Sequence, residues 1–369
     1  MRPAEANKKA INIKILASVM ILLGIGVAFM YGASARAAEE LFSLSRDHFF
    51  YRQLIYAILS FILILFLSRL NPELFFRLAN LFLILAIAAL VLTLIPGVGE
   101  KRNGSRRWIS LGFFNFQASE LAKIAIVLYL AKKLAQKENN LTSFSKDILP
   151  ILLAIALVFS LIFIEDFSSS SIVLIVSLSL LFVAGAPIRY FIYLAVTGIP
   201  ILYFFLMSFP HMKSRLSGYL KKFFHDEYIP YQENQAIKAI MNAQYFGSGP
   251  GIGSYHARVP ESHTDFYFVS VVSDIGLLGG FLVLALYFFL YTNIFHQARH
   301  LIQKEHSYLV YGLGLLLIWQ TVLNLAGVLG LLPIAGLPLP FLSYGGNSLI
   351  SVSLAIGIIL SLSRFQPKP

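Results

Sequence analysis

The residues best suited to chemistry stand together just before a long apolar run. The stretch from Tyr255 to Gly280 reads YHARVPESHTDFYFVSVVSDIGLLGG; it is polar as far as Asp265, and the apolar segment continues from Phe266 to Tyr291. His256, Arg258, Glu261, His263, Thr264 and Asp265 crowd its polar part. A carboxylate at the mouth of a membrane span can take the proton of a substrate hydroxyl as a general base. Ionisable side chains at membrane depth mark function by default, so Asp265 is the expected catalytic residue. The competing reading is a helix cap, because the amide dipoles of a helix start favour a carboxylate there. Asp274 follows half a turn out of phase and about 13 Å further along a regular helix. It is expected to meet a neighbouring helix rather than to pair with Asp265.

Other candidates surround this one. Glu120 and Lys123 are spaced i, i+3 at the start of an apolar segment, which puts them on one helix face. A mutual ion pair and a substrate role are both open to them. Arg106 and Arg107 precede Trp108 in a short basic stretch; guanidinium forks suit phosphate, and the indole suits a membrane interface. Arg215 and Arg258 add cations in the longest polar segment. The run LLPIAGLPLPFLSYGGNS from Leu331 to Ser348 carries Pro333, Pro338 and Pro340, which exclude regular helix. Irregular backbone survives at membrane depth only where protein or water pairs it, so this run reads as a re-entrant or tightly packed loop. Gln232 to Gly253 starts as a short amphipathic helix and ends rich in glycine, without the strand–loop–helix context of a phosphate loop.

These side chains must be positioned by membrane helices. The 369 residues are 57% hydrophobic and 13% charged, with mean hydropathy +0.74, whereas soluble domains carry about a quarter charged residues. Apolar runs of about 20 residues predict an all-α polytopic membrane protein of about ten spans: 15–34, 52–70, 77–95, 120–135, 148–164, 171–186, 190–208, 266–291, 307–330 and 346–363. A β-barrel is disfavoured because the runs do not alternate. The basic N-terminus leads into a retained first span rather than a cleaved signal. There is no cysteine, hence no disulfide and no cysteine metal or redox cluster. The formal charge of +11 reads as span-flanking lysine and arginine rather than nucleic-acid binding.

Basic short segments at the N-terminus, at 132–147, at 292–306 and at the C-terminus fall on one side with an even number of spans, which makes both termini cytoplasmic. The loops 96–119, 165–170, 209–265 and 331–345 then face outward. Lys101, Arg102, Arg106 and Arg107 lie there against the usual charge trend, and an anionic ligand is the physical reason to expect them. No internal repeat or appended soluble domain is visible, so 1–369 reads as a single integral membrane domain with one large loop, 209–265.

The motifs together resemble the SEDS family, the shape, elongation, division and sporulation polymerases RodA and FtsW. The resemblance rests on PESHTDF from Pro260 to Phe266, DIGLLG from Asp274 to Gly279, LPLPFLSYGG from Leu337 to Gly346, and NGSRRWI from Asn103 with QASELAK from Gln117. The chain departs from the family at Ala118, usually proline, at Asp274, usually glutamate, and across Ile164 to Ser169, where the family has Gln-Pro-Asp-Leu-Gly-Thr. Its Gly-Ser-Arg-Arg-Trp form leans towards FtsW. The resemblance implies a peptidoglycan glycosyltransferase that polymerises lipid II into a growing glycan chain outside the bacterial cytoplasmic membrane, beside a class B penicillin-binding protein. It implies Asp265 as the base, with Arg106, Arg107, Trp108, Glu120, Lys123, Arg215, Arg258, Glu261, His263, Thr264, Ser343 and Tyr344 around the substrate. No residue pattern demands a metal, although Mg2+ or Mn2+ suits a pyrophosphate leaving group. The alternatives are a flippase or transporter for the same lipid and a non-catalytic cell-wall scaffold. Transporters place their sites near the midplane in repeated broken helices, whereas these charges cluster at the outer edge.

Overall fold

A computed structural model describes residues 10–102, 105–110, 112, 115–137, 143–208, 213, 217–221, 230–249 and 259–364. Arg215, Arg258 and His256 lie outside the described residues. Twelve helices are described within them: α1 (Ile13–Ala28), α2 (Met30–Phe42), α3 (His48–Leu67), α4 (Pro72–Leu94), α5 (Ala118–Gln136), α6 (Leu149–Phe163), α7 (Phe167–Val183), α8 (Ile188–Ser208), α9 (Tyr231–Asn242), α10 (Tyr267–Arg299), α11 (Lys304–Val328) and α12 (Gly346–Arg364). Seven helices, counting α1 and α2 as one run and joining a short π turn to α6, are long and apolar enough to cross a membrane. Two shorter apolar helices, α7 and most of α8, join them, and α5 fills the remaining predicted span.

Two sequence expectations need correction. Glu39 and Glu40, beyond the first predicted span at 15–34, lie on α2, which continues that span past a break at Phe29. The segment 96–119, read as a polar loop, folds into an antiparallel sheet of β1 (Gly99–Arg102), β2 (Ser105–Ser110) and β3 (Asn115–Gln117). Glu100 pairs with Trp108 and Ile109 with Phe116. The sheet packs on the end of α4 and leads directly into α5.

Burial orders the bundle. The most apolar stretch of α12 is 72% buried, against 22% for α3 on the periphery. α5 lies between α4, α7, α11 and α12 and is buried on nearly every side, which explains how a helix with two charges in its first turns sits inside a membrane bundle. α8 is the opposite case: Ile192, Val196, Ile199 and Phe204 are exposed along it.

α10 is not continuous. Gly276 has φ 76° and ψ 179°, a conformation essentially restricted to glycine. The carbonyls freed at the break are taken up by the chain after α9. Ser248 N–H donates to the Ser273 carbonyl at 3.1 Å and Gly249 N–H to Asp274 at 3.0 Å, while Leu277 N–H donates to Gln244 at 2.9 Å and Leu278 N–H to Tyr245 at 3.2 Å. The two backbones come so close that a Cβ on Gly276 would lie 2.2 Å from the Tyr245 oxygen, and one on Gly247 2.3 Å from the Asp274 oxygen. The long polar segment is thereby fixed to the helix that follows Asp265.

Candidate active site

Asp265 is the last residue but one of a run of turns at 259–266 that leads into α10. Phe266 occupies the N-cap position, without a side-chain capping bond of its own. What holds this segment is Asn324 of α11. Its Nδ2 donates to the Asp265 carbonyl at 2.7 Å and to the Leu337 carbonyl at 2.6 Å. Asp265 is half-buried and lines a small cleft with Phe266, Asn324, Gly327, Val328 and residues 334–337. A Cβ on Gly336 would stand 3.4 Å from Asp265 Oδ2, so the carboxylate faces the irregular loop across a glycine. Chemically, this is a half-buried carboxylate beside a small cleft at one end of the helix bundle.

The irregular loop is built as its prolines predict. Leu337, Leu339, Phe341 and Leu342 are buried, and the polar groups between them are paired by neighbouring helices. Gln320 Nε2 donates to the Pro338 carbonyl at 2.9 Å; Gln53 Nε2 donates to Leu342 and Ser343 at 3.4 and 3.3 Å; Tyr287 Oη donates to Pro340. Ser343 Oγ accepts from Leu339 N–H at 2.9 Å, so this hydroxyl closes a turn. Tyr344 N–H donates to the His263 carbonyl at 2.9 Å, joining the loop to the Asp265 segment. The phenol of Tyr344 is pushed up by burial, an effect partly offset by its hydrogen bond with Arg52.

His263 is 5% exposed, packed against Phe49 with centroids 4.8 Å apart, and its Nδ1 is buried without a hydrogen-bond partner. Burial pushes its imidazole below the ordinary value, and the Glu261 charge partly opposes this. Glu261 is exposed, and its Oε2 accepts from Thr264 Oγ1 at 2.7 Å. Glu261 and the buried Phe341 adopt φ of 56° and 67°, a left-handed region costly for side chains of this size. Both strained residues sit in the segments that frame Asp265.

The hairpin side chains reach the α6–α7 turn. Arg106 N–H donates to Glu165 Oε2 at 2.6 Å, Arg107 Nε donates to the Glu165 carbonyl at 2.7 Å, and Arg107 Nη1 lies 3.5 Å from Asp166 Oδ2. Asp166 in turn caps α7 through Ser169 N–H at 3.1 Å and Ser169 Oγ at 2.9 Å. Ser168 Oγ donates to the Ala335 carbonyl, so the hairpin is tied through α7 to the cleft beside Asp265. Trp108 is half-buried on β2. Arg107 therefore serves a fold contact, and with 35% of its side chain exposed it keeps a face for solvent or ligand.

Glu120 and Lys123 form the pair that their spacing allows: Lys123 Nζ lies 2.7 Å from Glu120 Oε1, with side chains 1% and 9% exposed. The second carboxylate oxygen, Oε2, is buried without a hydrogen-bond partner. Ser351 Oγ of α12 donates to the Glu120 carbonyl at 3.3 Å. Among the described residues, Asp265 belongs to no group of three acid or imidazole side chains close enough to hold a metal ion.

Sequence reasoning missed Asn324, Gln320, Glu165 and Arg52. The first two had a signal: polar side chains spaced i, i+4 inside an apolar helix, which a membrane interior keeps only when they have partners. Glu165 and Arg52 had none, because their partners come from distant segments.

Residues 13–368 match the model of the Cell cycle protein family that groups FtsW, RodA and SpoVE. The chain belongs to this family. Among its relatives, stage V sporulation protein E of Bacillus subtilis is 32% identical over 98% of this chain and 99% of its own length. The probable peptidoglycan glycosyltransferase FtsW of Geobacter sulfurreducens is 33% identical over 95% of each chain. Two solved structures share the FtsW/RodA fold. One describes the coordination of polymerization and crosslinking by a peptidoglycan synthase complex (TM-score 0.77, 25% identity, 96% of this chain and 98% of the other). The other is RodA of Thermus thermophilus (TM-score 0.73, 25% identity, 98% of this chain and 99% of the other). The chain is thus a polytopic membrane protein of the FtsW/RodA fold, with named likenesses among FtsW and SpoVE.

Proposed function

We propose that this FtsW/RodA-family chain is a peptidoglycan glycosyltransferase that polymerises lipid II at the outer face of the bacterial cytoplasmic membrane. The observation that carries the reading is Asp265: a half-buried carboxylate beside a small cleft, its backbone fixed by Asn324 while the N-cap position is taken by Phe266. The names of its relatives support the same chemistry. In the reaction a sugar hydroxyl of the acceptor attacks the anomeric carbon of the donor. Asp265 takes the hydroxyl proton. The anomeric C–O bond to the polyprenyl pyrophosphate breaks, and its electron pair leaves on the phosphate oxygen. Arg106 and Arg107, held on a rigid sheet, are the described cations suited to that developing charge; Arg215 and Arg258 belong to the same proposal by sequence. Trp108, Glu261, His263, Thr264, Ser343 and Tyr344 shape the surrounding walls. The ion pair of Glu120 and Lys123 lies beneath the hairpin and positions the start of α5. The apolar sides of α8 left uncovered by the bundle offer a lipid-facing surface for the polyprenyl tails.

Both termini face the cytoplasm in this reading, and the hairpin end faces outward. A class B penicillin-binding protein is the expected partner, since glycan strands must be crosslinked as they form. One observation favours the transporter alternative: α10 is broken, as transporter helices often are. Here, however, the freed carbonyls are already paired by Ser248 and Gly249, so the break is filled by the chain itself and offers no ligand site. The test is polymerisation of labelled lipid II by the purified protein, alone and with a class B partner, with lipid II flipping measured in the same vesicles. Glycan strands are the expected product. Flipping without polymer in either condition would make the chain a transporter, and neither activity would leave the scaffold reading.

A further inference from the structure

At the end of the bundle remote from the hairpin, the first turns of α4 and α11 meet. Glu73 stands in the first turn of α4, and Glu305 and His306 in that of α11. One ligand atom from each lies within 4.8 Å of the other two. Acids in a first turn are ordinary, because the helix dipole favours them there. His306 is not explained in that way. It is 3% exposed and stacked on Phe76, with ring centroids 5.3 Å apart and 18° between planes. Its Nε2 is buried without a hydrogen-bond partner. Glu73 Oε1 lies 3.7 Å from it, which is too long for a hydrogen bond. Two ligands each about 2.1 Å from one ion and about 109° apart stand about 3.4 Å from each other. The gap between the imidazole nitrogen and the carboxylate is therefore of ligand-to-ligand size.

We propose that Glu73, Glu305 and His306 form a site for a divalent transition-metal ion of the zinc class, which ties α4 to α11 away from the catalytic cleft. The donor set is one imidazole and two carboxylates, suited to zinc or a neighbouring first-row ion rather than to magnesium. Two carboxylates balance the ion's charge. The Glu73 side chain is 61% exposed, so it has the freedom to close on an ion, while the Phe76 ring fixes the imidazole plane. Lys132 of α5 is the opposing charge nearby. Its Nζ donates to the Phe76 carbonyl at 2.8 Å, which holds the ammonium in a fixed place. Such a site would bind its ion in a state where α4 and α11 are packed as seen, and so stabilise that packing.

The experiment uses the full chain, purified in detergent without a polyhistidine tag. Zn2+ is titrated by calorimetry into the parent, His306→Gln, Glu73→Gln and Asp265→Asn, and Co2+ is added as an absorbing substitute. The expected result is one Zn2+ per chain in the parent and in Asp265→Asn, and affinity weakened at least about 10-fold in His306→Gln and Glu73→Gln. Visible Co2+ absorption should appear in the parent and vanish in His306→Gln. A chelator should lower the thermal midpoint of the parent and leave that of His306→Gln unchanged. Glu73→Gln changes an exposed side chain, so it reports on the site even where His306→Gln folds poorly. Equal Zn2+ affinity in all four proteins, or no binding in the parent at tenth-millimolar Zn2+, would overturn the proposal and leave a histidine–glutamate contact. Neither outcome depends on polymerase activity, so the site and the proposed glycosyl transfer fail independently.

Discussion

Replacing Glu120 by leucine would leave the Lys123 ammonium, 1% exposed and now 2.7 Å from nothing that can balance it, inside a helix packed on four sides. Breaking a buried pair in this way costs about 3–5 kcal/mol, whereas replacing both partners by apolar groups of similar size is often neutral. For a chain of this size, about 2 °C of midpoint is lost per kcal/mol, which puts Glu120→Leu about 6–10 °C below the parent. Lys123→Met should fall by a similar amount, and the double variant should return to within about 1 kcal/mol of the parent. The assay is thermal unfolding of the purified protein in one detergent, read as a double-mutant cycle. A double variant as unstable as the sum of the singles would refute the reasoning, because additivity means that the two side chains do not interact.

Gly276→Ala should cost about 1–3 kcal/mol from its backbone conformation alone, with more from the close Tyr245 oxygen, and should increase hydrogen exchange at 244–249 and 273–278 together; exchange confined to one segment would show that the two backbones are not coupled. Arg107→Ala should loosen the α6–α7 turn, raising hydrogen exchange at 165–170, and should also weaken use of lipid II; unchanged exchange would remove its fold role, and unchanged kinetics its substrate role. His263 is held neutral by burial, so the unfolded chain takes up its proton first as pH falls. The stability this contributes is complete above an ordinary histidine value of about 6.5 and is lost as pH falls through the lower folded value. Thermal midpoints measured from pH 7.5 to 5 should therefore fall less steeply in His263→Gln than in the parent, and parallel curves would contradict the assignment.

Much of this was legible in the sequence because membranes impose simple lengths. The ten apolar runs all fall on helical segments, two of them broken at Phe29 and Gly276, and the prolines between Leu331 and Ser348 announced an irregular loop that the structure then buries. Asp265 stood out because its polar neighbours end abruptly at Phe266. The hairpin was hidden for a physical reason: its strands are short and strongly basic, and they are held by α4 and by Glu165, neither of which is near in sequence. Gly276 gave no warning either. A lone glycine in an apolar helix is compatible with continuous helix, and only the pairing with Gln244 to Gly249 makes the break stable. Asn324 and Gln320 were readable as polar pairs inside a span, yet their partners, the carbonyls of Asp265, Leu337 and Pro338, carry no sequence signature at all.

Whether the Asp265 carboxylate is the base is decided by Asp265→Asn. The substitution keeps shape and polarity but removes basicity, and Asn324 still holds the same backbone carbonyl. Initial rates of lipid II polymerisation should be compared between parent and variant at equal folded concentration, with lipid II binding measured alongside. The account predicts unchanged binding and thermal stability, with polymerisation slowed by about two to four orders of magnitude, the usual contribution of a general base. A folded Asp265→Asn protein that polymerises at close to the parent rate would contradict it and return Glu261, Glu120 and Asp166 to consideration.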